Sequence, residues 1–154
     1  MYNISKILAF EEGKKLRVYK CTQGFLTVGI GHNLDADPAI DILHRKLKLH
    51  DSITEQECNE LFQKDVNKVY ETIYSKLPWF EFLKEKYKLV IVNMVFQLGI
   101  NGTLAFKNTL KAIQEDNPDK VIAGMKASKW YKQTPNRVNR LIKLIQEQPI
   151  NEYN

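Results

Sequence analysis

Glu11 and Glu12 stand side by side at the end of a short apolar segment, immediately before Gly13. A carboxyl group held where a helix meets a sheet is partly stripped of water. That favours its neutral form and suits it to donate a proton, as hydrolysis of a glycosidic bond requires. On spacing alone, two solvated surface glutamates fit as well. Asp65 is more specific. On a helical wheel it falls between Leu61 and Val69, inside the apolar stripe of its helix. A carboxylate there needs a partner, and His32 is a candidate, giving an ion pair that ties a sheet to a helix. The structural role is preferred to a catalytic one. Arg137 and Arg140 lie one turn apart. They suit either a carboxylate, on substrate or enzyme, or plain solvation of a basic helix face. Phe96, Trp130 and Tyr131 suit either a sugar groove or the core.

These residues need elements to position them. Residues 3–12 read as a short helix with Ile4, Ile7 and Leu8 on one face, ended by Gly13. Val18, Tyr19 and the run Phe25 to Ile30 are β-formers on either side of a Thr22-Gln23-Gly24 turn, which predicts a small antiparallel sheet. Gly29 and Gly31 flank Ile30 and suggest tight bends or close backbone approach. Residues 38–50 are expected to form a helix, with Ile40, Leu43 and Leu47 inward. Thr54-Glu55-Gln56-Glu57 is a capping box. The helix it starts carries a stripe of Cys58, Leu61, Phe62, Val66, Val69, Tyr70 and Ile73 and runs to about Ser75. Leu89 to Leu98 predicts a buried helix broken by Gly99 and Gly102. Helices follow around 106–115 and 118–128, and a last one starts near Thr134-Pro135-Asn136. The class expected is α+β, mostly α.

Composition bounds the partners. The 154 residues are 44% hydrophobic and 27% charged, an ordinary globular balance with no repeats or low-complexity stretch. No apolar run approaches the roughly 20 residues of a membrane span, so stable membrane insertion is not expected. Two cysteines are too few for a disulfide scaffold and lack zinc spacing; no metal and no cofactor are expected. Net charge is +5, unevenly spread. Residues 1–65 hold nine Lys/Arg against ten Asp/Glu, and residues 66–154 hold fourteen against eight. The basic second half suits an anionic polymer such as nucleic acid, acidic membrane or bacterial wall, or else is merely solvated.

Glu12-Gly13, Leu16-Arg17-Val18-Tyr19-Lys20, Thr27-Val28-Gly29-Ile30-Gly31-His32 and Leu61-Phe62-Gln63-Lys64-Asp65-Val66 resemble the lysozymes of T-even bacteriophages. So do Asn93-Met94-Val95-Phe96-Gln97-Leu98-Gly99 and Trp130-Tyr131-Lys132-Gln133-Thr134-Pro135-Asn136-Arg137. The likeness runs through nearly the whole chain, weakening around 33–50, 74–88 and after 145. It implies a two-lobed lysozyme-like fold forming a single domain over 1–154. An N-terminal sheet lobe (about 13–54) and a helical lobe (about 76–154, with helix 3–12 packed on it) would be joined by a linking helix (about 55–75). It implies hydrolysis of the β-1,4 bond between N-acetylmuramic acid and N-acetylglucosamine in bacterial peptidoglycan.

The family's Glu, then Asp or Cys nine residues on, then Thr six further, falls here on Glu12, Cys21 and Thr27. That selects Glu12 over Glu11 as general acid. The resemblance also implies that Arg137 pairs with Glu12, that His32 and Asp65 form a structural ion pair, and that Asn33, Phe96, Gln97 and Thr109 touch substrate. Asn33 departs from the usual apolar residue at its position. Cys21 stands where the better-known form has Asp, and as thiolate would either orient water or attack the sugar. The expected setting is synthesis in the host cytoplasm as a monomer, then action on the periplasmic wall after a holin permeabilises the membrane. Peptidoglycan, not nucleic acid, is the expected partner. Rival readings are a wall-binding module without catalysis and a membrane-active cationic helix at 136–148.

Overall fold

A computed structural model describes residues 2–154. By its internal contacts the chain forms two compact units, residues 1–68 and 69–154. Among the described residues the architecture is mostly helical, with one three-stranded antiparallel sheet of order β1-β2-β3.

The first unit opens with helix α1, Ile4–Glu12, capped by the Asn3 side chain, which accepts from the N–H groups of Ser5 and Lys6. The helix stops at Gly13, whose φ of 73° lies in the left-handed region that glycine enters without a Cβ penalty. Strands β1 (Lys15–Lys20), β2 (Leu26–Gly29) and β3 (His32–Asn33) follow. The β1–β2 turn is closed by the Cys21 N–H on the Phe25 carbonyl at 2.9 Å and the Gly24 N–H on the Cys21 carbonyl at 2.8 Å. Tyr19 faces Thr27, and Thr27 faces Asn33, so these three make one cross-strand row. Val28 and His32 are paired on the opposite face, where Val18, Val28, Leu43, Ile53, Cys58 and Leu61 form the core of this unit.

The expected helix over 38–50 is only the single turn α2, Ile40–Leu43. Its flanks explain the difference. Ala39 and His44 both sit at positive φ, 55° and 57°, and a left-handed residue ends a right-handed helix on each side. Ile40 is accordingly exposed, while Leu43 and Leu47 are buried. Helix α3, Glu55–Lys76, begins at the capping box: the Thr54 hydroxyl accepts from the Glu57 N–H at 3.0 Å, and the Glu57 carboxylate accepts from the Thr54 N–H at 2.9 Å.

In the second unit α4, Glu85–Leu104, buries Leu89 to Val95 as a continuous run. Gly99 breaks its helical geometry at φ 76°, ψ 170°, whereas Gly102 remains helical. Helices α5 (Lys107–Gln114), α6 (Pro118–Lys126), α7 (Lys129–Gln133) and α8 (Pro135–Ile145) complete the unit. Their inner faces, including Leu110, Val121, Met125, Val138, Leu141 and Ile145, are buried.

Candidate active site

Glu12 is the last residue of α1, half-buried, and its side chain lies over Gly31 in the bend between β2 and β3. A Cβ on Gly31 would stand 2.7 Å from Glu12 Oε1 and 3.2 Å from Glu12 Cδ. Gly31 also has φ 68°. Glycine is therefore required twice over, once by the backbone and once by the carboxylate it seats.

Cys21 sits in the β1–β2 turn, partly exposed and not in a disulfide. The backbone N–H groups of Phe25, then Gln23, aim at its sulfur. With smaller help from the Thr27 hydroxyl and Gly24 N–H they hold the thiol below its ordinary pKa, against the opposing effect of burial. Successive amides of a tight turn make a concavity for an anion, here filled by the turn's own side chain. Thr27 is 5% exposed, and its hydroxyl donates to the Phe25 carbonyl at 3.0 Å. With one proton to give, it chooses between that carbonyl and the Cys21 sulfur.

Tyr19 joins this group without having been singled out from the sequence. It is the direct strand partner of Thr27. Burial first, then the charges of Glu12 and Cys21, push its phenol pKa up, which keeps it a neutral donor. The Lys15 ammonium lies 4.2 Å from its ring centroid. Asn33, at the other end of the row, spends its side-chain oxygen on the N–H groups of Asp35 (2.9 Å) and Ala36 (3.1 Å), shaping the following turn.

His32 is 3% exposed on the core face of β3. Its Nδ1 donates to Asp65 Oδ2 on α3 at 2.7 Å, and its Nε2 donates to the Asp37 carbonyl at 2.8 Å. Two acceptors on two ring nitrogens require the imidazolium. Burial opposes that charge, but the bond and charge of Asp65 and the Asp37 carbonyl outweigh it, so the His32 pKa is raised. The ligand atoms of His32, Asp37 and Asp65 lie within 4.8 Å of one another, a spacing that suits a divalent ion. Both imidazole nitrogens are already engaged, however, and Lys64 holds Asp37 at 2.9 Å. The cations here are the protein's own.

In the second unit Arg137 is buried at the start of α8 and donates through Nε to Asn93 Oδ1 on α4 at 2.8 Å. Gln97 accepts from Trp130 Nε1 at 2.8 Å and donates to Thr134 Oγ1 at 3.3 Å, so its amide joins α4, α7 and the entry to α8. Trp130 is buried, not a groove wall, and packs edge-on against Phe106 at 5.8 Å. Phe96 is half-buried. Thr109 faces Gly124, where a Cβ would run into its hydroxyl. The two line a groove of about 560 Å³ with Phe106, Lys107 and Ser128.

The model of the phage lysozyme family matches residues 9–146. The chain belongs to the phage lysozyme family. Among curated relatives, "Probable T4-type lysozyme 1" of Dictyostelium discoideum is 37% identical, with 98% of each chain covered. "Probable T4-type lysozyme 2" of the same organism is 33% identical at the same coverage. "Peptidoglycan hydrolase gp36" of Pseudomonas phage phiKMV is 28% identical over 93% of this chain and 15% of that protein. The chain is thus a lysozyme, a glycoside hydrolase. Within its first unit the lysozyme gathers a half-buried carboxyl group, a thiol in an amide-lined turn, a buried hydroxyl and a phenol. Such a set can give one proton and receive another. Strand alternation could have found Tyr19: it lies two residues before Cys21, on the face opposite buried Val18.

Proposed function

We propose that this lysozyme is a muramidase that cleaves the β-1,4 bond between N-acetylmuramic acid and N-acetylglucosamine in peptidoglycan. The observation that carries the reading is the seating of Glu12 over Gly31 in the same unit as the Cys21 thiol and Thr27. Glu12 gives its proton to the departing glycosidic oxygen. Cys21, as thiolate, and the Thr27 hydroxyl hold a water at the anomeric carbon, and the thiolate takes that water's proton as the new C–O bond forms. The products are two shorter glycans, a Glu12 carboxylate and a Cys21 thiol; proton exchange with solvent resets the pair. This is a single displacement with inversion. Thiolate character supports it, since the base must be anionic before water is activated. A relative named as a peptidoglycan hydrolase supports the substrate. As the wider setting we propose lysis of a host bacterium from within, once a separate membrane protein gives access to the wall.

The test compares wild type, Glu12→Gln, Cys21→Ser and Cys21→Asp on purified peptidoglycan, with mass spectrometry of the fragments and NMR of the first-formed anomer. Wild type is expected to free fragments with new reducing ends in the inverted configuration. Glu12→Gln is expected to lose at least about 100-fold in rate, the scale of a general acid. Cys21→Asp should retain more activity than Cys21→Ser. A retained anomer would replace the water route with nucleophilic attack by sulfur. A folded wild type that binds peptidoglycan and frees nothing would sink the enzymatic reading.

A further inference from the structure

Four cations lie between residues 14 and 20: Lys14, Lys15, Arg17 and Lys20. Two of them are committed within the protein. Lys14 meets the Glu55 carboxylate at 2.9 Å, and Arg17 donates through Nε to the His50 carbonyl at 3.1 Å. Lys20 is exposed at the end of β1, on the side away from Tyr19 by strand alternation. Lys15 is different. It is exposed and has no carboxylate partner among the described residues, yet its ammonium is held 4.2 Å from the Tyr19 ring centroid. The strand is irregular where this happens. Lys15 pairs with Gly29 and Tyr19 with Thr27, so four steps along β1 face only two along β2. In a regular strand residues four apart stand about 13 Å from each other. A bulge bends the strand and re-aims a side chain, here Lys15 toward the ring.

The ring sets the ammonium beside the proposed catalytic groups. Tyr19 stands directly across from Thr27, whose hydroxyl is within reach of the Cys21 sulfur, and the charge of Glu12 reaches the Tyr19 phenol. The anions of this face do not claim the ammonium. Amide N–H groups and the Thr27 hydroxyl already hold the thiol low, and Glu12 is protonated when it acts on substrate. Asp35, the next carboxylate beside the sheet, accepts from the Leu26 N–H at 3.0 Å. A thiolate alone repels an anionic substrate, and a fixed ammonium near it offsets that repulsion. The charge also selects the ligand. Nucleic acid or an anionic bilayer is held by several cations together, whereas among the described residues this face offers one uncommitted cation. A wall glycan has neutral hydroxyls and N-acetyl groups; its anionic groups are carboxylates on the muramyl side, of the lactyl ether where that is free and of the stem peptide where one is attached.

We infer that Lys15, steered by the Tyr19 ring, is a specificity residue that binds a carboxylate on the muramyl side of the scissile bond. The inference rests on the muramidase reading for the identity of the polymer.

The experiment uses the full chain carrying Glu12→Gln, so that binding is measured without cleavage, and adds Lys15→Met, Lys15→Arg or Lys20→Met. Both lysines are exposed, so no change removes packing that the fold needs. The probes are soluble uncrosslinked peptidoglycan strands, either bearing stem peptides or stripped of them so that the lactyl carboxylates are free, each also in a carboxyl-amidated form. Lys15→Met is expected to weaken binding to a carboxylate-bearing strand by about five-fold, the upper scale of an exposed ion pair, and to leave binding to the amidated strands unchanged. Lys15→Arg should keep the binding, and so should Lys20→Met, which loses the same charge. A loss on peptide-bearing strands assigns the carboxylate to the stem peptide, and a loss on stripped strands assigns it to the lactyl ether. In otherwise wild-type protein, Lys15→Met should raise KM on the same strand and leave kcat unchanged. Equal losses on native and amidated strands overturn the inference, since they make Lys15 structural. Unchanged binding to both native strands overturns it too, as does an equal loss in Lys20→Met. Failure of the muramidase reading shows separately, as absence of new reducing ends from wild type whatever Lys15 does.

Discussion

The two cysteines have opposite surroundings, although each lies beside the sheet. Amide N–H groups lower the Cys21 thiol, while Cys58 is fully buried and burial pushes its thiol up. Thiolate is the reactive form, so alkylation reads both effects. In native protein, iodoacetamide should label Cys21 with a pH–rate midpoint below that of free cysteine, and should leave Cys58 unlabelled until denaturant is added. Peptide mass mapping checks it; equal labelling of the two, or a Cys21 midpoint at or above the free value, would refute the account of the turn. At this scale the sequence was only partly readable. Glu11 and Glu12 could not be told apart by spacing, because either ends an apolar helix; the family pattern selected Glu12. What distinguishes Glu12 physically is Gly31, nineteen positions on, where the missing Cβ leaves room for the carboxylate. Nothing local to residue 12 announces that. Tyr19 shows itself only through strand alternation relative to Cys21, since a strand tyrosine on its own reads equally well as packing.

Elements were legible where their signals are local. The capping box at Thr54 and Glu57 is an exchange between two residues three apart, and it forms as the sequence implies. The 38–50 segment misled because inward-facing Leu43 and Leu47 keep a helical spacing whose backbone does not follow, with Ala39 and His44 in left-handed geometry. The His32–Asp65 contact joins β3 to α3, and the wheel position of Asp65 hinted at it without the fold. It makes the stability of the first unit depend on pH. His32 has a folded pKa above its unfolded value, so its contribution is complete below about pH 6.5 and is lost as pH rises through the folded value. Asp65→Asn keeps an acceptor oxygen but removes the negative charge that helps to raise it. The variant is expected to lose roughly 3 kcal/mol near pH 5.5, the lower end for a broken buried pair because the Asp65 side chain is one-fifth exposed. The deficit should shrink at alkaline pH. Urea midpoints of both proteins across that range check it; a pH-independent deficit would mean that packing, not charge, is what Asp65 supplies.

Charge is the property that belongs to the molecule as a whole. The excess of Lys and Arg lies almost entirely after residue 65, fourteen against eight acidic residues, while the region holding Glu12, Cys21 and Thr27 is close to neutral. Such a split separates two electrostatic tasks. A near-neutral catalytic region leaves the proton affinity of the Cys21 thiol to local contacts. A basic remainder attracts an anionic polymer over distances of about 30 Å at 0.01 M salt, falling to about 8 Å at 0.15 M. Peptidoglycan carries the carboxylates of its stem peptides, so this attraction acts on intact wall and not on neutral sugar. The rate on sacculi should therefore fall several-fold as ionic strength rises through that interval, whereas the rate on short soluble peptidoglycan glycans whose carboxyl groups have been amidated stays level. Parallel measurement of the two substrates separates the causes. If both rates fall together, salt acts on the fold or on the catalytic groups. If neither falls, the basic excess is ordinary solvated surface with no part in reaching the wall.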